Sequence, residues 1–345
     1  MEFKKSHFEL ADDFLNKHHG KLSYLTAISV LNSIEGEPSY EQFAEKIQSM
    51  FIKGTPLVQM GLETNTLYHL TMMRRFDKKL YYITPNLASR LATTSLGIDS
   101  HFVRSPFPEI FVQIDKGLFS IKDIDGTDTS VTGFYVNLVN QTASKKMLRI
   151  MASGMLPAVP GIPFNDSLFY FKLPFESGAP VDEQVREALK NARSAGLEQL
   201  KLSHGERNLD YLEGFAQFVI NTLLYITSRN ARLTTHLPED FEKRLAGLKN
   251  PAKIRKLQNR ADRFSNHPII VAGEGLDAHE GSSLKDAGSV KSWVLEKRVR
   301  VSGHWREQWY GSEKDGTKHQ EALWISDYEK GPELADVISN PHIVK

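Results

Sequence analysis

The residues best suited to chemistry lie near the C-terminus, in the run Gly303-His-Trp-Arg-Glu-Gln-Trp-Tyr-Gly311. Trp305 and Trp309, with Tyr310 and Tyr328 nearby, supply large flat rings, and Arg298, Arg300 and Arg306 supply planar cations. That combination suits RNA, because bases stack on aromatic rings while guanidinium groups grip phosphates. His304 offers a different chemistry. Imidazole exchanges protons near neutral pH, so His304 is the candidate catalytic residue of a ribonuclease, acting as general acid or base. The same residues also fit a purely architectural role, a tryptophan-cored hairpin whose arginines pair with acids such as Glu307 and Asp327.

A second cationic array lies upstream. Lys249, Lys253, Lys256, Arg260 and Arg263 are spaced 4, 3, 4 and 3, which aligns them on one face of a helix over 249–264. Ile254, Leu257, Ala261 and Phe264 form an apolar stripe beside them, and Pro251 suits the first helical turn. Such a ridge would follow a phosphate backbone or an acidic partner; its bland counterpart is a solvated helix face.

Metal and cofactor chemistry find less support. Glu109, Asp115, Asp123 and Asp125 lie on adjacent predicted strands, and Asp277, His279 and Glu280 share a glycine-rich loop. Neither group shows paired ligand spacing, so strand-end, turn and solvated roles are expected, with no metal. His7, His18 and His19 are assigned to a helix surface. The chain lacks GxxxxGK[ST], HExxH, GxSxG and GxGxxG patterns, and it has no Cys, which removes thiolate ligands and Cys nucleophiles. No cofactor is expected.

These groups need elements to hold them. The first hundred residues read mainly helical, with an apolar stripe at Leu22, Leu25, Ile28 and Leu31 and another at Phe43, Ile47 and Met50. Beyond Ser105-Pro106-Phe107-Pro108 come short aromatic and β-branched runs at 109–115, 118–122, 133–140, 147–152 and 168–173, read as an antiparallel sheet. Helices are expected at about 181–195 and 209–229, the second with Leu212, Phe215, Val219, Leu223 and Ile226 on one stripe. Gly273–Gly288 reads as a linker. After it, period 2 sets Val299, Val301, Trp305 and Trp309 on one hairpin face and Arg298, Arg300, His304 and Arg306 on the other. Asp315-Gly316 is the turn, and the return strand carries Leu323, Trp324 and Ile325. Trp305, Trp309 and Trp324 are thus the structural aromatics.

The expected class is α+β: a helical N-terminal region (1–104), an α+β core with the basic helix (105–267), and a linker with a small C-terminal β-hairpin unit (268–345). The 345 residues carry 43 Lys and Arg against 42 Asp and Glu, so the net charge of +1 confines any nucleic-acid surface to a local patch. No apolar stretch is long enough to span a bilayer, and the N-terminus turns acidic where a signal peptide needs its apolar core, so a cytoplasmic protein is expected.

Three stretches, in order, resemble a known family. Val301–Gly311, followed by Ala322-Leu-Trp-Ile-Ser326 and Lys330-Gly-Pro332, is similar to a "RGHWR…YG…WI…GP" ending. Pro108–Asp115 with Gly133–Val136, and Leu223-Leu-Tyr-Ile-Thr-Ser-Arg-Asn-Ala231, are similar to its mid-chain strands and a helix end. The family is a phage and mobile-element one that includes the second type V-A anti-CRISPR protein. The resemblance covers roughly residues 105–345, and Ser302 replaces an Arg common in the pattern, which removes one cation. It implies a bacterial host-cell regulator that recognises a nascent or target polypeptide, including that of a CRISPR effector, and lowers its expression by translation-linked message decay. RNA or the ribosome is the second expected partner, and no membrane is involved. A ribonuclease acting on target message and a phage nucleic-acid-associated structural protein are the alternatives.

Overall fold

The structure, a computed structural model, describes Phe8, Ala11 and residues 24–34, 40–48, 57–76, 79–122, 128–154, 167–194, 207–236, 246–255, 268–276, 298–330 and 337–338. Its helices are α1 (Tyr24–Asn32), α2 (Tyr40–Gln48), α3 (Leu57–Arg75), α4 (Pro85–Ala92), α5 (Val181–Ser194) and α6 (Arg207–Thr227). Its strands are β1 (Lys79–Ile83), β2 (Glu109–Gln113), β3 (Ser120–Lys122), β4 (Asp128–Ser130), β5 (Gly133–Asn140), β6 (Lys145–Ser153) and β7 (Ser167–Glu176). They continue as β8 (Leu233–His236), β9 (Ile269–Ala272), β10 (Arg298–Val301), β11 (His304–Tyr310), β12 (His319–Ile325), β13 (Tyr328–Lys330) and β14 (Val337–Ile338).

Seven strands form one sheet in the order β7-β6-β5-β2-β1-β9-β8. Alternation along each strand sorts side chains to two faces. Ile110, Val112, Phe134, Val136, Leu148 and Ile150 enter a core beneath α4, α5 and α6, while Phe111, Tyr135 and Met151 enter a second core beneath α1, α2 and α3. With both faces covered, the strands read as near-continuous apolar runs. The class is α+β, with helices either side of a mostly antiparallel sheet and a small C-terminal hairpin.

Two expectations need amendment. Lys79-Leu-Tyr-Tyr-Ile83, within the stretch read as mainly helical, is the strand β1, and it pairs in parallel with both β2 and β9. Four of its five residues are buried, so it lacks the alternation that marks a half-exposed strand. The expected boundaries at 104/105 and 267/268 fall between strands of this one sheet. The single strand expected over 298–310 is broken at Ser302-Gly303: β10 joins β13 and β14, whereas β11 pairs with β12. Of the basic helix, residues 251–255 are helical, with Asn250 Oδ1 accepting from the Ala252 N–H at 2.9 Å. Residues 256–264 lie outside the described residues.

Candidate functional site

The hairpin is held to the body by its indoles. Trp305 and Trp324 face each other across β11 and β12, and both are buried. A buried indole N–H needs an acceptor. Trp305 Nε1 donates to Asn221 Oδ1 at 2.7 Å, and the Asn221 amide donates to the carbonyls of Leu91 and Thr94, each at 2.8 Å. Trp324 Nε1 donates to Thr94 Oγ1 at 3.3 Å, its ring meets Tyr225 edge-on at 5.2 Å, and its carbonyl accepts from Asn230 Nδ2 at 2.9 Å. Asn221 therefore joins α4, α6 and the hairpin. The signal was present in the sequence: an amide in the middle of an apolar helix requires a buried partner.

Trp309 departs from expectation. It shares a hairpin face with Trp305 yet is 53% exposed. Four residues along a strand is about 13 Å, which carries Trp309 out of the buried patch that Asn221 and Tyr225 make with the other two indoles. Arg306 is exposed, and His304 is half-buried with Nδ1 3.1 Å from the Ser302 carbonyl oxygen, a backbone partner rather than a carboxylate. Arg298 and Arg300 lie on β10, in register with Val337 and Glu329. Lys249 and Lys253 are exposed beside and within the short described helical turn, while Lys256, Arg260 and Arg263 lie outside the described residues.

Where the hairpin leaves the body a cleft of about 470 Å³ opens between the end of α6, the segment 102–104 and β12. Phe102, Leu224 and Ala322 supply its apolar lining, Thr227, Ser228 and Gln320 its neutral polar groups, and Arg104, Arg229, His319 and Glu321 its charges. Each wall is fixed. Lys146 Nζ clamps the carbonyls of Ser100, His101 and Val103 at 3.3, 3.0 and 2.9 Å, which holds the segment leading to Arg104. Arg229 lies over the Tyr310 ring at 4.8 Å, and Lys318 over Trp309 at 5.0 Å. His319 places Nδ1 2.8 Å from the Thr317 carbonyl and Nε2 2.9 Å from Glu321 Oε1. Hydrogen bonding to the Thr317 carbonyl and then to Glu321 raises its pKa, because both partners accept from the doubly protonated ring. None of these cleft cations stood out in the sequence, although Arg229 lies inside the Leu223–Ala231 motif.

The described members of the acidic group, Glu109 and Asp115, have separate partners. Glu109 is fully buried under the helical layer, with Oε1 2.8 Å from His69 Nδ1 on α3. Asp115 accepts from the Tyr82 hydroxyl at 3.0 Å, and Asp123 and Asp125 lie outside the described residues. Asp277, His279 and Glu280, and likewise His7, His18 and His19, also lie outside them. Among the described residues no three His, Asp or Glu side chains are grouped to hold a metal. Glu109 instead starts a row of register partners across the sheet, Glu109–Asn137–Arg149–Lys172. Glu41 on α2 closes the row, accepting from Arg149 Nη2 at 2.7 Å and Lys172 Nζ at 2.6 Å. Burial pushes the Glu109 carboxyl well above its ordinary range and lowers His69 to about 3. Both shifts favour the uncharged forms, in which the carboxyl donates to the imidazole.

No described helix is long and apolar enough to cross a membrane. No curated protein and no solved structure matches the chain. The model of the anti-CRISPR type V subtype A2 family, named AcrVA2-like, matches residues 81–328. That span holds the sheet from Tyr81 onward, α4 to α6, the indole-anchored hairpin and every residue lining the cleft. The chain belongs to the AcrVA2-like anti-CRISPR family.

Proposed function

We propose that the protein counters a type V-A CRISPR system by engaging the effector polypeptide as it is made and lowering its expression through translation-linked message decay. The observation that supports this reading is the cleft beneath the hairpin, an amphipathic space bounded by the elements that carry the family's motifs. Its volume falls in the range of about 300–1,000 Å³ usual for ligand clefts. RNA or the ribosome meets the protein elsewhere, at the exposed Lys249, Lys253 and Arg306. His304, tied to a backbone carbonyl, does no RNA chemistry in this scheme.

A reporter experiment tests the reading. A type V-A effector coding sequence fused to a fluorescent protein is expressed with this chain, alongside a synonymously recoded version and a frame-shifted version restored at the fusion. Recoding alters the message and preserves the peptide, while the frame shift does the reverse. Repression that survives recoding and disappears with the frame shift supports polypeptide recognition. Repression that follows the nucleotide sequence overturns it.

A further inference from the structure

We infer that the cleft between the end of α6 and the hairpin binds an acidic, partly apolar peptide segment, with one apolar side chain over Ala322 and flanking carboxylates on Arg104 and Arg229. This rests on the polypeptide-recognition reading above and adds the class of segment and its seat.

Charge is the first argument. Arg104 and Arg229 have no carboxylate partner among the described residues, and the one carboxylate lining the cleft, Glu321, is engaged by His319. The cleft thus presents two uncompensated guanidinium groups, each suited to bidentate capture of a carboxylate. Hydrogen-bond polarity is the second. Thr227 Oγ1 donates to the Leu223 carbonyl at 2.7 Å and Ser228 Oγ donates to the Tyr225 carbonyl at 2.8 Å. With their protons committed to the helix end, these hydroxyls offer only lone pairs to a ligand. A peptide brings N–H groups to meet them, whereas phosphate oxygens are acceptors and meet acceptors. Glu321 likewise opposes a polyanion carrying charge at every unit, but tolerates isolated carboxylates around an apolar residue.

The test uses full-length protein and three fluorescein-labelled probes: the peptide Asp-Leu-Asp-Phe-Glu-Leu, its counterpart with Lys at the acidic positions, and a uridine 12-mer. Fluorescence polarisation is expected to show the acidic peptide bound in preference to both others. The Arg104→Gln/Arg229→Gln variant is expected to lose at least about tenfold in that affinity with an unchanged melting temperature. The Arg104→Glu/Arg229→Glu variant is expected to prefer the Lys peptide, an exchange that mere damage to the fold does not produce. Tighter binding of the 12-mer, or equal binding of all probes by wild type and variants, overturns the inference. The double Gln variant is also run in the recoding reporter. If it represses fully in a peptide-dependent way, the cleft assignment fails while polypeptide recognition stands; if wild type follows the nucleotide sequence, the broader reading fails.

Discussion

Among single residues, Asn221 and Glu109 are buried polar groups with opposite consequences. Asn221 satisfies two carbonyls and one indole, and since the Leu91 carbonyl keeps the Thr94 N–H, Asn221→Ala leaves the Thr94 carbonyl and the Trp305 N–H unpaired at about 1–3 kcal/mol each. Its cost is expected to rival the about 3–5 kcal/mol of Trp305→Ala. Trp309→Ala, at an exposed ring, is expected to change stability by less than about 0.5 kcal/mol. Chemical denaturation of the three variants checks this order, and a Trp309 variant as damaged as Trp305 would refute the placement of the hairpin. Glu109 sits in the apolar interior as a neutral acid. Since its folded pKa lies above the ordinary 4.5, its contribution is complete below pH 4.5 and is lost as the pH rises through the raised value. His69 behaves oppositely, contributing above about pH 6.5 and losing that contribution as the pH falls toward 3. Glu109→Gln keeps a donor for His69 and is expected to lie within about 1 kcal/mol of wild type near pH 5. Stability measured from pH 5 to 8 is then expected to fall in wild type relative to the variant. A loss of about 3–5 kcal/mol in the variant at pH 5 would mean that a buried ion pair had been broken instead.

At the scale of elements, the hairpin depends on its turn as well as on its anchor. Gly311 has φ +78°, and a Cβ there would press into the Thr317 carbonyl across the turn. Gly316 has φ +70° but faces open space, while Asp315 Oδ1 accepts from the Thr317 N–H and hydroxyl to close the turn. Gly316→Ala therefore carries only the left-handed penalty of about 1–2 kcal/mol, whereas Gly311→Ala adds a backbone collision. Hydrogen exchange at the ends of β11 and β12 is expected to quicken markedly in the Gly311 variant and modestly in the Gly316 variant. The buried Trp305–Trp324 end should stay protected in both. Equal effects would show that the Thr317 carbonyl yields freely.

For the whole molecule, the helical layer is the element least expected from the family match, which begins at residue 81. It nonetheless covers Phe111, Tyr135 and Met151, all essentially inaccessible, together with the Glu109–Lys172 row. Removing residues 1–78 strips one face of the sheet to solvent and leaves Arg149 without Glu41 and Glu109 without His69. A chain starting at Lys79 is accordingly expected to aggregate on size-exclusion chromatography. A monodisperse, cooperatively melting product would show that the matched span is stable alone.

What the sequence determined by itself were the features written in local periodicity and in rare residues. Short aromatic and β-branched runs bounded by turns placed β5, β6 and β7, and the 3.6-residue stripe placed α6 to within two residues or so, because such signals are local to each element. The tryptophan-rich ending and the Leu223–Ala231 stretch likewise carried the family in one dimension. Tertiary structure decided what spacing does not encode. β1 is buried on both faces and so shows no alternation, and its parallel partners come from positions 109–113 and 269–272, far apart in the chain. Trp305 and Trp309 are equivalent by period, yet one lies against Asn221 and the other overhangs solvent, a difference set by where α6 ends. The cleft is the extreme case. Arg104, Arg229 and His319 come from three separated segments, and only the docking of the hairpin on α6 brings their charges to one space.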